Sequence, residues 1–137
     1  MRFMMLMIPK GYETAAPGTM PPAEAVAAMM KYNTALKEAG VLIALDGLLP
    51  PSAGARVSFA GGKPLVTDGP FIEAKEVIGG YWMIEVKSKD EAIAWVKQWP
   101  TIDGHGNVQL EIRQLFENED FGEKVTEMAK SFSSTKK

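Results

Sequence analysis

The feature that most constrains this chain is the stretch 81–115, where a two-residue alternation gives way to a helical repeat and then returns. Over 81–87, Trp82, Ile84 and Val86 fall on one face of an extended strand, with Tyr81, Met83 and Glu85 on the other. Ser88 followed three residues later by Glu91 is the pattern of a capping box. Ala92, Trp95, Val96 and Trp99 then recur at helical spacing until Pro100 ends the run. Over 108–115 the alternation resumes, with Val108, Leu110 and Ile112 opposite Gln109, Glu111 and Arg113. A strand, a helix and a strand so closely joined are half of a layered fold.

The other half precedes it. Residues 2–8 form a short apolar run without helical period that exits at Pro9, Lys10 and Gly11, which predicts a buried strand. Pro21, Pro22 and Glu24 suit the first turn of a helix. Its apolar stripe, Ala25, Met29, Tyr32, Leu36 and Ala39, steps by four and three residues before Gly40 stops it. Residues 41–45 read as a second strand closed by Asp46-Gly47, with Pro50 and Pro51 keeping the next segment irregular. Runs 56–60 and 64–67 flank Gly61-Gly62, a hairpin turn.

This order predicts an α+β protein, a ferredoxin-like split βαβ sandwich with an inserted β-hairpin, whose helices cover one face of an antiparallel sheet. The uncovered face would carry Tyr81, Met83, Glu85, Gln109, Glu111 and Arg113, too apolar for open solvent and too polar for a dry core. Two copies packed face to face resolve the conflict and enclose a pocket, so a homodimer of the dimeric α/β-barrel type is expected. The plainer alternative is a solvated face on which the charges only pair. Residues 1–118 read as the domain and 119–137 as a tail. There Phe121, Val125, Met128 and Phe132 mark a short packing helix before a disordered polar end.

A net charge of -2 over 137 residues argues against nucleic acid and anionic membrane as partners, leaving a small-molecule ligand as the expectation. With no cysteine there is no disulfide, thiolate metal site or cysteine nucleophile, which suits the cytoplasm. The apolar run at 2–8 is too short for a secretory leader, and nothing approaches the ~20 apolar residues of a membrane span. His105, the only histidine, lies in a glycine-rich loop without a second imidazole to help it bind a metal. Neither Gly104-His105-Gly106 nor Gly61-Gly62 has phosphate-loop spacing. No cofactor and no metal are expected.

The run Thr67-Asp68-Gly69-Pro70-Phe71-Ile72-Glu73-Ala74-Lys75-Glu76, followed by Gly80-Tyr81-Trp82, resembles the signature of the DGPF branch of the YCII-related proteins. Gly54-Ala55-Arg56-Val57, Glu111-Ile112-Arg113 and Glu119-Asp120-Phe121-Gly122 fit the same pattern, so the resemblance covers about residues 2–122. It implies a ferredoxin-like dimer and no settled activity. More distant relatives carry a histidine on or near the first helix, proposed to work with an aspartate. Here Tyr32 and Asn33 stand in mid-helix, so histidine base catalysis is ruled out there. Leu49 and Pro51 likewise replace residues that are commonly polar in relatives.

Candidate site residues emerge from these placements. Asp68 either pins the turn before Gly69-Pro70 by accepting backbone hydrogen bonds, or presents a carboxylate at a pocket mouth as general base. Glu73 and Glu76 would share one face of a helical turn as a carboxylate pair, or lie solvated beside Lys75. Tyr81 and Glu85 share a strand face with Glu111 and Arg113, whose guanidinium suits a carboxylate ligand. Arg56, beside the hairpin, is a second such candidate. Asp68, Glu85 and Tyr81 are thus the catalytic candidates, and Arg113, Glu111, Glu73 and Glu76 the ligand-binding ones. Two functions stand: a small-molecule-binding, regulatory module, which the residues favour, or an isomerase- or lyase-type enzyme using pocket carboxylates as acid and base.

Overall fold

In the computed structural model, residues 1–70, 76–102 and 107–135 are described. Among them the main elements are β1 (Arg2–Pro9), α1 (Ala23–Glu38), β2 (Leu42–Gly47), β3 (Ala55–Ala60), β4 (Lys63–Asp68), β5 (Gly80–Glu85), α2 (Lys89–Val96), β6 (Val108–Gln114) and α3 (Glu123–Thr135). Four strands form one antiparallel sheet in the order β2-β5-β1-β6, while β3 and β4 pair only with each other. Each strand–helix–strand unit therefore leaves a gap that a strand of the other unit fills, the ferredoxin-like arrangement expected from the element order.

The alternation in the strands decides the layers. Phe3 and Met5 of β1, Trp82 and Ile84 of β5, and Val86 are buried beneath Tyr32 and Leu36 of α1 and Ala92 of α2. Complete burial of a side chain such as Ile84 contributes roughly 1.5–3 kcal/mol. α1 ends in a Schellman motif, with Gly40 at φ +74, its N–H on the Lys37 carbonyl at 3.0 Å and the Val41 N–H on that of Leu36 at 3.2 Å. The helix opens behind Pro22 with no side-chain cap, leaving Glu24 to complement the dipole.

Three local features depart from the sequence reading. The Ser88 hydroxyl accepts from the Glu91 N–H at 3.1 Å, but the Glu91 carboxylate reaches past Ser88 to the Lys87 N–H at 2.9 Å, so the cap is not the reciprocal box. Asp46 and Gly47 do not close a strand; they continue β2 alongside Tyr81 and Gly80 of β5. This continuation depends on a register shift between Leu42 and Ala44 that leaves Ile43 unpaired and turns both Leu42 and Leu45 toward the core. Finally, α3 runs to Thr135, well into the polar end that was expected to be disordered.

The hairpin turns at Gly61 and Gly62, both with positive φ, as a two-glycine turn requires. All of β3 and β4 is exposed, with Phe59 at 71% and Leu65 at 65%. The stripe on α3 is also open, with Met128 at 63% and Phe132 at 65% exposed. Among the described residues no helix is long and apolar enough to cross a membrane.

Candidate functional site

A cleft of about 560 Å³ opens at the end of the helix-covered layer, where β1 leaves the sheet, β2 ends and β5 begins. Met7, Leu45 and Trp82 come from the covered face of the sheet, Met29 from α1 and Leu48 from the segment after β2. The β1–α1 connection closes the remaining side with Gly11, Tyr12, Ala15 and Met20. That connection is held in place by the Tyr12 hydroxyl, which donates to the Leu48 carbonyl at 2.6 Å.

The cleft's polar side chains are Lys10, Tyr12, Thr19, Asn33, Asp46 and Tyr81, among mostly apolar walls. Asn33, on α1, accepts through Oδ1 from the Trp82 indole N–H at 2.7 Å, which fixes which end of the amide is oxygen. Its Nδ2 group then carries the free donors, with no acceptor among the described residues. Asp46 lies at the rim and accepts from the Tyr81 hydroxyl at 3.0 Å. That hydrogen bond, reinforced by the carboxylate's charge, raises the Tyr81 pKa, so its phenol is a donor at neutral pH. Tyr32, the residue preceding Asn33, turns into the core, where it donates to the Trp95 carbonyl at 2.7 Å and burial pushes its pKa upward, which marks it as a structural phenol.

The predicted site residues lie mostly elsewhere. Tyr81, Glu85, Glu111 and Arg113 do share the uncovered sheet face, where the register sets Leu6 between Tyr81 and Glu111, and Met4 between Met83 and Arg113. Glu85, Glu111 and Arg113 are exposed, and Arg113 meets Glu111 at 3.4 Å. Tyr81 alone also lines the cleft. Asp68 ends β4, exposed, with no hydrogen bond to its carboxylate among the described residues, which do not include 71–75 just beyond its turn. The Gly69 N–H donates to the Gly54 carbonyl at 2.9 Å, tying the end of β4 to the segment before β3. Glu76 is exposed and borders a separate hollow with Lys10 and Gln109. Glu73 and His105 lie outside the described residues. No metal-binding group of three histidine, cysteine or acidic residues occurs among the described residues.

Sequence reasoning missed Asn33 and Asp46 as cleft residues. Asn33 had a signal, an amide in mid-helix one residue after the core Tyr32. Asp46 was masked by Asp-Gly, which reads as a turn.

The family model of the YCII-related domain matches residues 1–115. The chain belongs to the YCII-related family. A relative, an uncharacterised protein of Rhizobium meliloti, is 38% identical over 60 residues, which are 44% of this chain and 48% of that protein. The match thus spans about half the length of that relative. Among solved structures, the chain is similar to a 5-chloro-2-hydroxyhydroquinone dehydrochlorinase from Burkholderia phenoliruptrix, in complex with 2,5-dihydroxybenzoquinone. The TM-score is 0.46 at 15% identity, over 90% of this chain and 100% of that one.

Proposed function

We propose that this YCII-related chain is a cytoplasmic, homodimeric small-molecule-binding protein of the DGPF branch, acting as a regulatory module. Residues 1–118 form its binding unit and 119–137 an appended tail. The observation that carries the reading is the cleft itself: apolar walls around a few convergent polar groups, in the size range of small-ligand sites. The DGPF assignment rests on the run from Asp68 to Glu76 together with Gly80-Tyr81-Trp82.

The composition of the open sheet face supports the dimer of α/β-barrel type: Met4, Leu6 and Met83 lie inside a frame of charge, a surface that packing against a second copy would cover. On that face Arg113, Glu111 and Glu85 would meet the partner, and a ligand carboxylate held between the copies would find Arg113.

A second reading, acid–base catalysis of the isomerase or lyase type, rests on Asp46, a carboxylate at the cleft rim bonded to a phenol that keeps its proton. The two readings share a site and differ in turnover. A thermal-shift screen of small aromatic acids, phenols and ketones tests the site. At least one should raise the melting temperature of the wild-type protein and not of Leu48→Trp, whose added ring would enter the cleft from a position 43% exposed. Equal shifts in both proteins, or none in either, would sink the cleft as the binding site.

A further inference from the structure

The geometry points to Asn33 as the residue that selects the ligand, and to a flat, largely apolar molecule bearing a hydrogen-bond acceptor such as a carbonyl oxygen. This deepens the binding reading above and rests on it. Three observations bear on the ligand's chemistry. Asn33 lines the cleft from α1. Its Oδ1 is already committed to the Trp82 indole N–H at 2.7 Å, so the amide cannot turn over without breaking that bond and leaving a buried N–H facing another N–H. What Asn33 can offer the cleft is therefore its two Nδ2 donors. Trp82, itself 5% exposed, also lines the cleft and is held edge-on by Tyr32 and Trp99 at 6.3 Å each, so the indole that orients the amide is fixed in turn.

The rest of the wall sets shape and polarity. Met7, Met29 and Leu45 line the same cleft with apolar atoms, and thioethers adapt to the faces and edges of a ring. A donor among such atoms rewards a ligand acceptor and leaves a ligand donor unpaired. Discrimination between hydrogen-bonding and merely apolar ligands follows from that asymmetry.

Acetophenone and ethylbenzene, alike in shape but differing in a carbonyl oxygen, separate the claims when titrated into ¹⁵N-labelled protein. The readouts are the Asn33 side-chain amide and the Trp82 indole resonance, the latter assigned with Trp82→Phe. In the wild type both probes should shift cleft residues, and only acetophenone should shift the Asn33 Nδ2 resonances strongly. Asn33→Asp keeps an oxygen for the Trp82 N–H and removes the donors. It should weaken acetophenone about three- to tenfold relative to ethylbenzene, the range expected for one neutral hydrogen bond. A preserved Trp82 indole resonance would show the variant folded. If it does not fold, the wild-type Nδ2 shifts decide the matter. Both probes binding without preference at Asn33 would overturn the inference and leave the cleft standing. Neither probe shifting any cleft residue would overturn the cleft reading itself.

Discussion

The two faces of the four-stranded sheet are built from the same strands and have opposite fates. On one, Phe3, Met5, Trp82 and Ile84 are at most 5% exposed beneath two helices. On the other, Met4, Leu6, Tyr81 and Met83 are only half-buried, and Arg2, Glu85, Glu111 and Arg113 border them. The difference lies in composition at alternate positions. A face meant for a permanent core carries no charge. The open face keeps apolar residues in its middle strands and charge at its borders. The cleft belongs to the first face and opens where that layer runs out of helix.

The largest effect should come from the covered face. Ile84→Ala removes a side chain at 0% exposure and should cost about 2–5 kcal/mol in urea unfolding, through lost burial and the cavity left behind. Its neighbour Met83→Lys should cost the isolated subunit within ~1 kcal/mol, because the longer side chain can extend into solvent. Its effect should appear in association, as a shift from dimer to monomer in sedimentation velocity across a concentration range, while Lys97→Ala at the exposed C-cap of α2 leaves association alone. Wild-type protein that sediments as a monomer at every concentration would remove the distinction between an interface and a plain solvated face.

Much of this contrast was legible in the sequence, because period two in 81–87 and 108–115 states which side chains share a face. The Gly61-Gly62 turn and the Gly40 stop were equally legible, since each needs a backbone angle that glycine supplies. The cleft was not. Its walls come from β1, α1, β2, β5 and the segments that connect them, brought together only by the tertiary fold. The unpaired Ile43 sets Asp46 opposite Tyr81, a shift of one residue that periodicity cannot reveal. Asn33 took its role from a tryptophan far along the chain. Of the residues chosen from sequence, Tyr81, Glu85, Glu111 and Arg113 were those the alternation placed on the open face, while Asp68, Glu73 and Glu76 came from the signature motif.

A smaller effect should come from Tyr81, at the edge between the two regions. Its hydrogen bond to Asp46 raises its pKa, so the unfolded chain loses the phenolic proton first as pH rises. The stabilisation is complete below the ordinary tyrosine value of ~10 and is lost as pH climbs from there toward the higher folded value. Tyr81→Phe should flatten that part of the dependence of the urea midpoint on pH, and leave the slope unchanged below pH ~9. A wild-type curve that declines no more steeply than the variant's would show that the bond contributes nothing in solution.

The smallest effect is expected at Asp68, the residue that the signature motif makes most conspicuous. Were it the pin of its turn, Asp68→Asn would weaken a charge-assisted bond and cost about 1–2 kcal/mol. The structure gives its carboxylate no such bond among the described residues and leaves the side chain exposed, so the substitution should change stability by less than ~0.5 kcal/mol. The following residue bears the constraint. A Cβ added at Gly69 would lie 1.6 Å from the Pro51 carbonyl oxygen, so Gly69→Ala must displace the backbone that joins the hairpin to the 3₁₀ turn Pro51–Ala53. Hydrogen exchange reads the difference locally. The Gly69 N–H, bonded to the Gly54 carbonyl, should keep its protection in Asp68→Asn, whereas in Gly69→Ala the corresponding alanine N–H should lose it. Loss of that protection in Asp68→Asn would return the turn to the aspartate. Normal protection there with weakened small-molecule binding would instead make Asp68 part of a ligand site.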